Sequence, residues 1–244
     1  MGLLSVLKTA GNAVADFVFP PFCSLCRKSL AEGERIVCEA CWGMMGRVSG
    51  PRCPRCGAPS LQGRQDCPNC AGKVFRFSGA VVLAPFDEGA QALVHLVKYR
   101  EKTSLGLRMG RALGEVARED ARLAGVDVIL PVPLHPSRLR ERGYNQSALI
   151  ARGAGGAMGK PVEERVLVRR RPTRTQTELS AEARAENVAD AFAVRHPGRV
   201  AGRRLLIVDD VLTTGATIDA CAGALLAAGA SGVFAAAVAS PFKA

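Results

Sequence analysis

The sequence predicts an α/β protein: a mostly parallel sheet with helices on both faces, preceded by a small metal-binding module. Three observations predict it. Eight of the nine cysteines lie between Cys23 and Cys70, and only Cys221 falls beyond them. From about Phe75 onward, short apolar runs alternate with stretches of helical periodicity, the pattern of strands covered on both sides. One of those runs, LLIV, leads into two adjacent acids and a threonine-rich turn, VDDVLTTGAT (208–217), before another helical stretch.

Composition sets the outer limits. A chain of 244 residues, 48% of them apolar, suits one medium domain with an appendage. The formal charge is +11, and two Zn²⁺ on eight thiolates would lower it to roughly +7. That excess suits phosphate-bearing ligands, nucleic acid or an acidic membrane surface. The opening MGLLSVLKTAGNAVADFVFPPFC does not read as a signal peptide, because Lys8 and Asp16 interrupt its apolar stretch and no basic segment precedes it. Val6 breaks the myristoylation pattern. Leu3, Leu4, Leu7, Val14 and Val18 share one helical stripe. Residues 1–20 are therefore expected to form a helix packed on the cysteine module, a membrane-surface helix being the alternative. No transmembrane segment is expected, and the location is expected to be cytoplasmic.

The cysteine module spans 21–74. Its pattern is CSLC, eleven residues, CEAC, eleven residues, CPRC, ten residues, CPNC. Each C-x-x-C turn aims two sulfurs at one metal, and two turns complete a tetrahedral site. A disulfide framework needs an exported protein, and a redox pair does not explain four evenly spaced repeats. The pattern resembles a double zinc ribbon with two structural Zn²⁺ sites. Sequential pairing, Cys23, Cys26, Cys38, Cys41 and then Cys53, Cys56, Cys67, Cys70, is the simplest. An interleaved cross-brace would show the same spacing. Gly57, after CPRC, is suited to a turn that points N–H groups at the thiolates.

Residues 75–244 form the second unit. FRFSGAVVLAPF reads as a strand or hairpin, EGAQALVHLVKY as a short helix and LGLRMGRALGEVARED as a longer one. VDVILPVP is a buried strand ended by prolines, and YNQSALIARGAGGAM starts as a helix expected to fray in its glycines. VEERVLVR reads as another strand and SAEARAENV as a short helix opened by Ser180. RRLLIVDD, IDACAGALLAAG and GVFAAAVAS close the chain as strand, helix and strand. GAGGAMG is not a dinucleotide motif, since Met158 stands where the third glycine belongs. There is no Walker loop, and the three histidines are scattered.

The acid pair carries the functional argument. Asp209 and Asp210 lie at a strand end, where open α/β sheets bind ligands. Carboxylates accept hydrogen bonds from a vicinal diol. Thr213, Thr214 and Thr217 offer hydroxyls, Gly215 lets the backbone come close, and a helix start suits a phosphate. Diol plus phosphate is a ribose 5-phosphate unit, whereas an ordinary capped turn needs only one acid. A second stretch, VILPVPLHPSRLRERGYNQS (128–147), places Arg138, Arg140 and Arg142 after another strand, where they could clamp a pyrophosphate.

VDDVLTTGAT resembles the 5-phosphoribosyl-1-pyrophosphate (PRPP) motif of type I phosphoribosyltransferases. Together with RGYNQ, RTQTELS, AENV, the KY at Lys98–Tyr99 and the cysteine repeats, it makes the chain similar to the ComF/GntX-like family from about Cys23 to Ser240. These proteins join a double zinc ribbon to a type I phosphoribosyltransferase-like domain and are associated with DNA uptake in natural competence. The resemblance implies that Asp209 and Asp210 hold the ribose hydroxyls and that Val211, Leu212, Thr213, Thr214, Gly215, Ala216 and Thr217 wrap the 5-phosphate. It places the pyrophosphate at Pro133, Leu134, His135, Pro136, Ser137 and Arg138, adds Lys98 as a substrate-binding residue, and implies Mg²⁺ bound along with PRPP. Asp209, Asp210 and Arg138 would carry any transfer of phosphoribosyl to an acceptor that the residues do not identify. Residues Arg169 to Arg184, with Gln176 as a contact, would close over the site. The alternative is a single-stranded DNA-binding or protein-docking factor, with a competence helicase as one partner and the PRPP site regulatory or inactive. Arg47, Arg52, Arg55 and Arg64, with Trp42 available for stacking, motivate that alternative, as do Lys98, Arg100, Lys102, Arg108 and Arg111.

Overall fold

The computed structural model describes residues 21–60, 67–99, 102–171 and 191–242. The expected helices over 1–20 and from Ser180 lie outside the described residues. Four strands form the main sheet: β1 (Ala80–Pro85), β2 (Val128–Pro131), β5 (Arg204–Val211) and β6 (Gly232–Ser240). Their order is β1-β6-β5-β2, and every pairing is parallel. Each of these strands is a nearly continuous apolar run, as a sheet covered on both faces requires.

Strand periodicity splits the core into two layers. Leu206 and Val208 of β5 join Leu93, Met109, Leu113 and Ile150, which come from α2 (Glu88–Tyr99), α3 (Thr103–Arg118) and α5 (Gln146–Met158). Leu205 and Ile207 point the other way, against Ile218, Cys221 and Leu225 of α6 (Ala216–Ala227). A short helix α1 (Glu39–Gly43) lies in the cysteine module, and α4 (Pro136–Arg142) follows β2.

Two sequence expectations need correction. The helix α5 does not fray in its glycines: it runs to Met158 and is capped by Gly159 at φ +65°. The glycines serve a crossing with α3. A Cβ on Gly153 would lie 2.3 Å from the Leu107 carbonyl oxygen, and one on Gly110 only 2.0 Å from that of Ile150. Second, VEERVLVR is divided: Val162 at its start bridges Ile129 of β2 in parallel, and only its end leaves the main sheet. Its β3 (Leu167–Arg169) pairs antiparallel with β4 (Phe192–Val194) in a separate ribbon.

The cysteine module is built into the fold rather than tethered to it. Val48 donates its N–H to the Leu83 carbonyl at 2.9 Å, and the Ala80 N–H reaches the Pro54 carbonyl at 3.3 Å. Both bonds lie on the outer side of β1, so the module covers a sheet edge that would otherwise offer unpaired backbone groups. Cys23, Val37 and Met45 share a core cluster with Leu83 and Leu93. At the other edge the chain at 161–163 caps β2, with Glu163 N–H donating to the Ile129 carbonyl at 2.9 Å.

Candidate functional site

The cysteines resolve into two clusters by sequential pairing: Cys23, Cys26, Cys38 and Cys41, then Cys53, Cys56, Cys67 and Cys70. The sulfurs of each set lie within 4.8 Å of one another, and none of the nine cysteines is in a disulfide. Cys26–Cys38, Cys53–Cys70 and Cys56–Cys67 sulfurs are 3.7, 3.8 and 3.6 Å apart. Four sulfurs at ~2.3 Å from a tetrahedral Zn²⁺ would be about 3.8 Å apart, whereas a disulfide needs ~2.05 Å. The donor set and spacing therefore fit two closed, structural zinc sites.

The two halves repeat one turn. The N–H groups of Arg27 and Gly57 donate to the carbonyls of Cys23 and Cys53 at 3.0 and 2.9 Å. Both residues are left-handed, at φ +64° and +75°. Gly57 takes this conformation freely, while Arg27 is a position that the sequence did not flag. N–H groups also point at sulfur, Cys38 N–H to Cys23 at 3.4 Å among them. Burial raises the Cys23 thiol, but N–H donors from Cys26, Cys38 and Leu25 outweigh it and hold it down to about 6. Burial and neighbouring thiols push Cys41 up to about 12.

The acid pair sits at the end of β5, and folding supplies it with partners. The Lys98 ammonium, from the end of α2, pairs with Asp210 Oδ2. The Ser147 hydroxyl, from the first turn of α5, donates to Asp209 Oδ1 at 2.8 Å, and the Asp210 N–H reaches the same oxygen at 2.9 Å. Burial and the charge of Asp210 push the Asp209 carboxyl up to about 8. Burial also works against the Asp210 charge, but the Lys98 ammonium outweighs it and holds that carboxyl below its ordinary value. Lys98 in turn stays charged above its ordinary range, since Asp210 more than offsets its burial. Asp209 is thus biased toward its protonated form and Asp210 toward its charged, ion-paired form.

After the acids, the Leu212 N–H donates to the Ala239 carbonyl at 2.9 Å and the Ser240 hydroxyl to the Leu212 carbonyl at 2.6 Å. These bonds pin the start of the loop Val211–Thr217 to β6. Gly215 caps α6 at φ +87°, and the Ala216 N–H approaches the Thr214 hydroxyl at 3.4 Å. Thr213, Thr214 and Gly215 line a cavity of about 200 Å³.

On the other flank, Lys98, Tyr99, Arg138, Glu141, Arg142 and Tyr144 line a separate cavity of about 160 Å³. Arg138 also pairs with Glu141 at 2.9 Å on the exposed surface of α4. Of the stretch Pro133 to Arg138, Pro133 to His135 lie outside regular structure and Pro136 to Arg138 lie in α4. Pro136 opens α4, and His135 caps it by accepting from the Ser137 N–H at 3.3 Å. Pro133 and Leu134 remain in the turn. Gln176 lies outside the described residues.

Sequence reasoning missed two residues: Ser147 holds Asp209, and Gln146 lowers Asp210 while accepting from Arg142. The polar start of an otherwise apolar helix, NQS, was the available signal for both. Arg169, expected to open the closing segment, instead ends β3, where burial works against its charge and Asp209 partly offsets it. The surface expected to favour nucleic acid is partly committed elsewhere. Arg108 covers one face of Trp42 at 4.1 Å, and Arg52 and Arg55 donate to the carbonyls of Val48 and Lys73 at 2.5 and 2.6 Å. No helix among the described residues is long and apolar enough to cross a membrane.

The double zinc ribbon domain family matches residues 14–71. DNA utilization protein YhgH of Escherichia coli K12 is 33% identical over 217 residues, covering 88% of this chain and 94% of that protein. Competence protein F of Haemophilus influenzae is 29% identical over 201 residues, covering 81% and 87%. Two solved structures align with 55% of this chain and 26% of their own at 25% identity. They are the allosteric regulatory enzyme of purine biosynthesis, with a TM-score of 0.38, and the glutamine PRPP amidotransferase from B. subtilis, with a TM-score of 0.37.

Proposed function

The chain belongs to the ComF-like family, and from that premise we propose that it binds PRPP at Asp209 and Asp210 in the service of DNA uptake or utilization, with phosphoribosyl transfer as its chemistry. The observation that carries the reading is the acid pair at the end of β5, held by Lys98 and Ser147 and flanked by a glycine-started helix and a cavity lined by Lys98, Arg138 and Arg142. A pair with one carboxyl biased toward its protonated form and the other ion-paired suits neutral ribose hydroxyls better than a bare cation: Asp210 accepts a hydrogen bond, and Asp209 donates or accepts one. The loop Val211–Thr217 offers hydroxyls and helix N–H groups to the 5-phosphate.

Lys98 and Arg138 share the cavity on the pyrophosphate flank, where they would bind the leaving group and stabilise its charge as the ribosyl carbon–oxygen bond breaks. Mg²⁺, arriving with PRPP, would neutralise pyrophosphate oxygens. The protein's contribution is position and electrostatics: the acids fix the ribose, and the two cations take up the developing charge.

Calorimetry with PRPP and Mg²⁺ tests this. Wild type should bind, and the Asp209→Asn/Asp210→Asn variant should lose affinity by about a hundredfold or more. At ligand near 100 times Kd, wild type should gain roughly 2.7 kcal/mol of stability. No binding by folded, zinc-loaded wild type would overturn the reading.

A second reading, single-stranded DNA binding with the PRPP site as a regulator, is favoured by the net charge of +11 and by the relatives' names. With one face of Trp42 covered, it would rest on phosphate contacts and show a steep salt dependence.

A further inference from the structure

The chain that leaves the second cysteine site runs directly onto the phosphate loop. Phe75 follows Cys70 by five residues. It packs against the cluster of Cys53, Cys56, Ala58 and Cys70. It also stacks on Phe77, with ring centroids 4.6 Å apart and planes 20° from parallel. Its edge meets the loop: a Cβ on Gly215 would sit 2.8 Å from the ring. The next residue, Arg76, donates its N–H to Asp219 in the first turn of α6 and pairs with the same carboxylate at 3.8 Å. Across the cavity beside this contact, Cys56, Asn69 and Lys73 face Thr213 and Thr214.

The first cysteine site is placed differently. Cys23, Cys38 and Cys41 pack into the layer of α2 and α3, away from α6. Gly215, at φ +87°, has the freest backbone in the loop and no side chain to brace it, so the bracing must come from what packs on it. Phe75 is that surface.

We propose that Phe75 is a positioning residue through which the folded second cysteine site sets the shape of the phosphate loop. Loop order and ligand affinity then depend on the second metal site and not on the first. The ligand part of the proposal rests on the PRPP reading; the coupling to Val211–Thr217 does not.

The test uses the full chain and three readouts: zinc content, hydrogen exchange of the amides over 211–219, and calorimetry with PRPP and Mg²⁺. Cys67→Ser should lose one zinc, speed loop exchange about tenfold or more, and weaken PRPP binding about tenfold or more. Cys26→Ser should also lose one zinc yet leave loop and affinity as in wild type. Phe75→Ala should keep both zincs and reproduce the loop effect. The double variant Cys67→Ser/Phe75→Ala should be no worse than either single change, because both interrupt one route. Cys67→His, which can still ligate zinc, should restore the loop. Wild-type loop exchange in Phe75→Ala, equal effects from Cys26→Ser and Cys67→Ser, or additive losses in the double variant would each overturn the coupling. The expected exchange pattern without PRPP binding by wild type would instead uphold the coupling and reject the PRPP reading.

Discussion

Asp209 departs far in its chemistry from its unfolded state. An unfolded Asp titrates near ~4, whereas burial and the Asp210 charge push folded Asp209 up to about 8. Between those values the folded protein holds a proton that the unfolded chain has released. More protons bound in the native state mean that stability falls as pH rises through this window. Asp209→Asn should remove that fall and stabilise the unliganded protein at pH 8, on the order of a few kcal/mol, with little effect at pH 4. Urea melts of both proteins at pH 4, 6 and 8 check it, and parallel pH profiles would contradict it. Asp210 behaves oppositely: Lys98 holds its carboxyl low, so its contribution is present near neutrality and is lost only in acid. The two acids were legible as a pair in VDDV. Their division into one proton-holding and one ion-paired group was not, because it needs Lys98 and Ser147, which are distant in sequence.

Among the elements, the crossing of α3 and α5 is the most exacting. Their glycines are read from sequence as weakness, since glycine costs a helix about 1 kcal/mol relative to alanine. The tertiary contact reverses that reading at particular positions. Gly110→Ala would press a methyl group 2.0 Å from the Ile150 carbonyl oxygen, so the helices must separate. Overpacking of ~1–3 kcal/mol or more should outweigh the propensity gain and leave the protein less stable. Gly156 sits in the same helix α5 with nothing within 4 Å of its virtual Cβ. Gly156→Ala should therefore stabilise by up to about 1 kcal/mol. Denaturant midpoints of the two variants test opposite signs; two changes of the same sign would count against the crossing geometry. Element types were otherwise legible. EGAQALVHLVKY is the helix Glu88–Tyr99, and RRLLIVDD lies within β5 except for its first residue. VEERVLVR became a strand only in its last three residues and a single bridge to β2 at its start, because a short apolar run carries no information about which edge it will join.

At the scale of the whole molecule, the cysteine module is part of the sheet's stability. It covers the outer side of β1 and shares a core cluster with α2 and α3. Chelation should release two zinc ions per chain, lower Tm and promote aggregation through the uncovered strand; metal analysis with light scattering during chelator titration checks it. Unchanged Tm after loss of both ions would show that the module holds without metal. The sequence by itself determined the local and periodic features: four C-x-x-C turns, alternating strands and helices, and an acid pair followed by a threonine- and glycine-bearing turn. Each is written in spacings of a few residues. Tertiary structure decided what lies beside what. It chose sequential cysteine pairing, buried the module against β1, placed Lys98 on Asp210 and set Phe75 against Gly215. Those contacts join residues far apart in the chain, and their energies come from burial and charge neutralisation, which exist only once the core has closed.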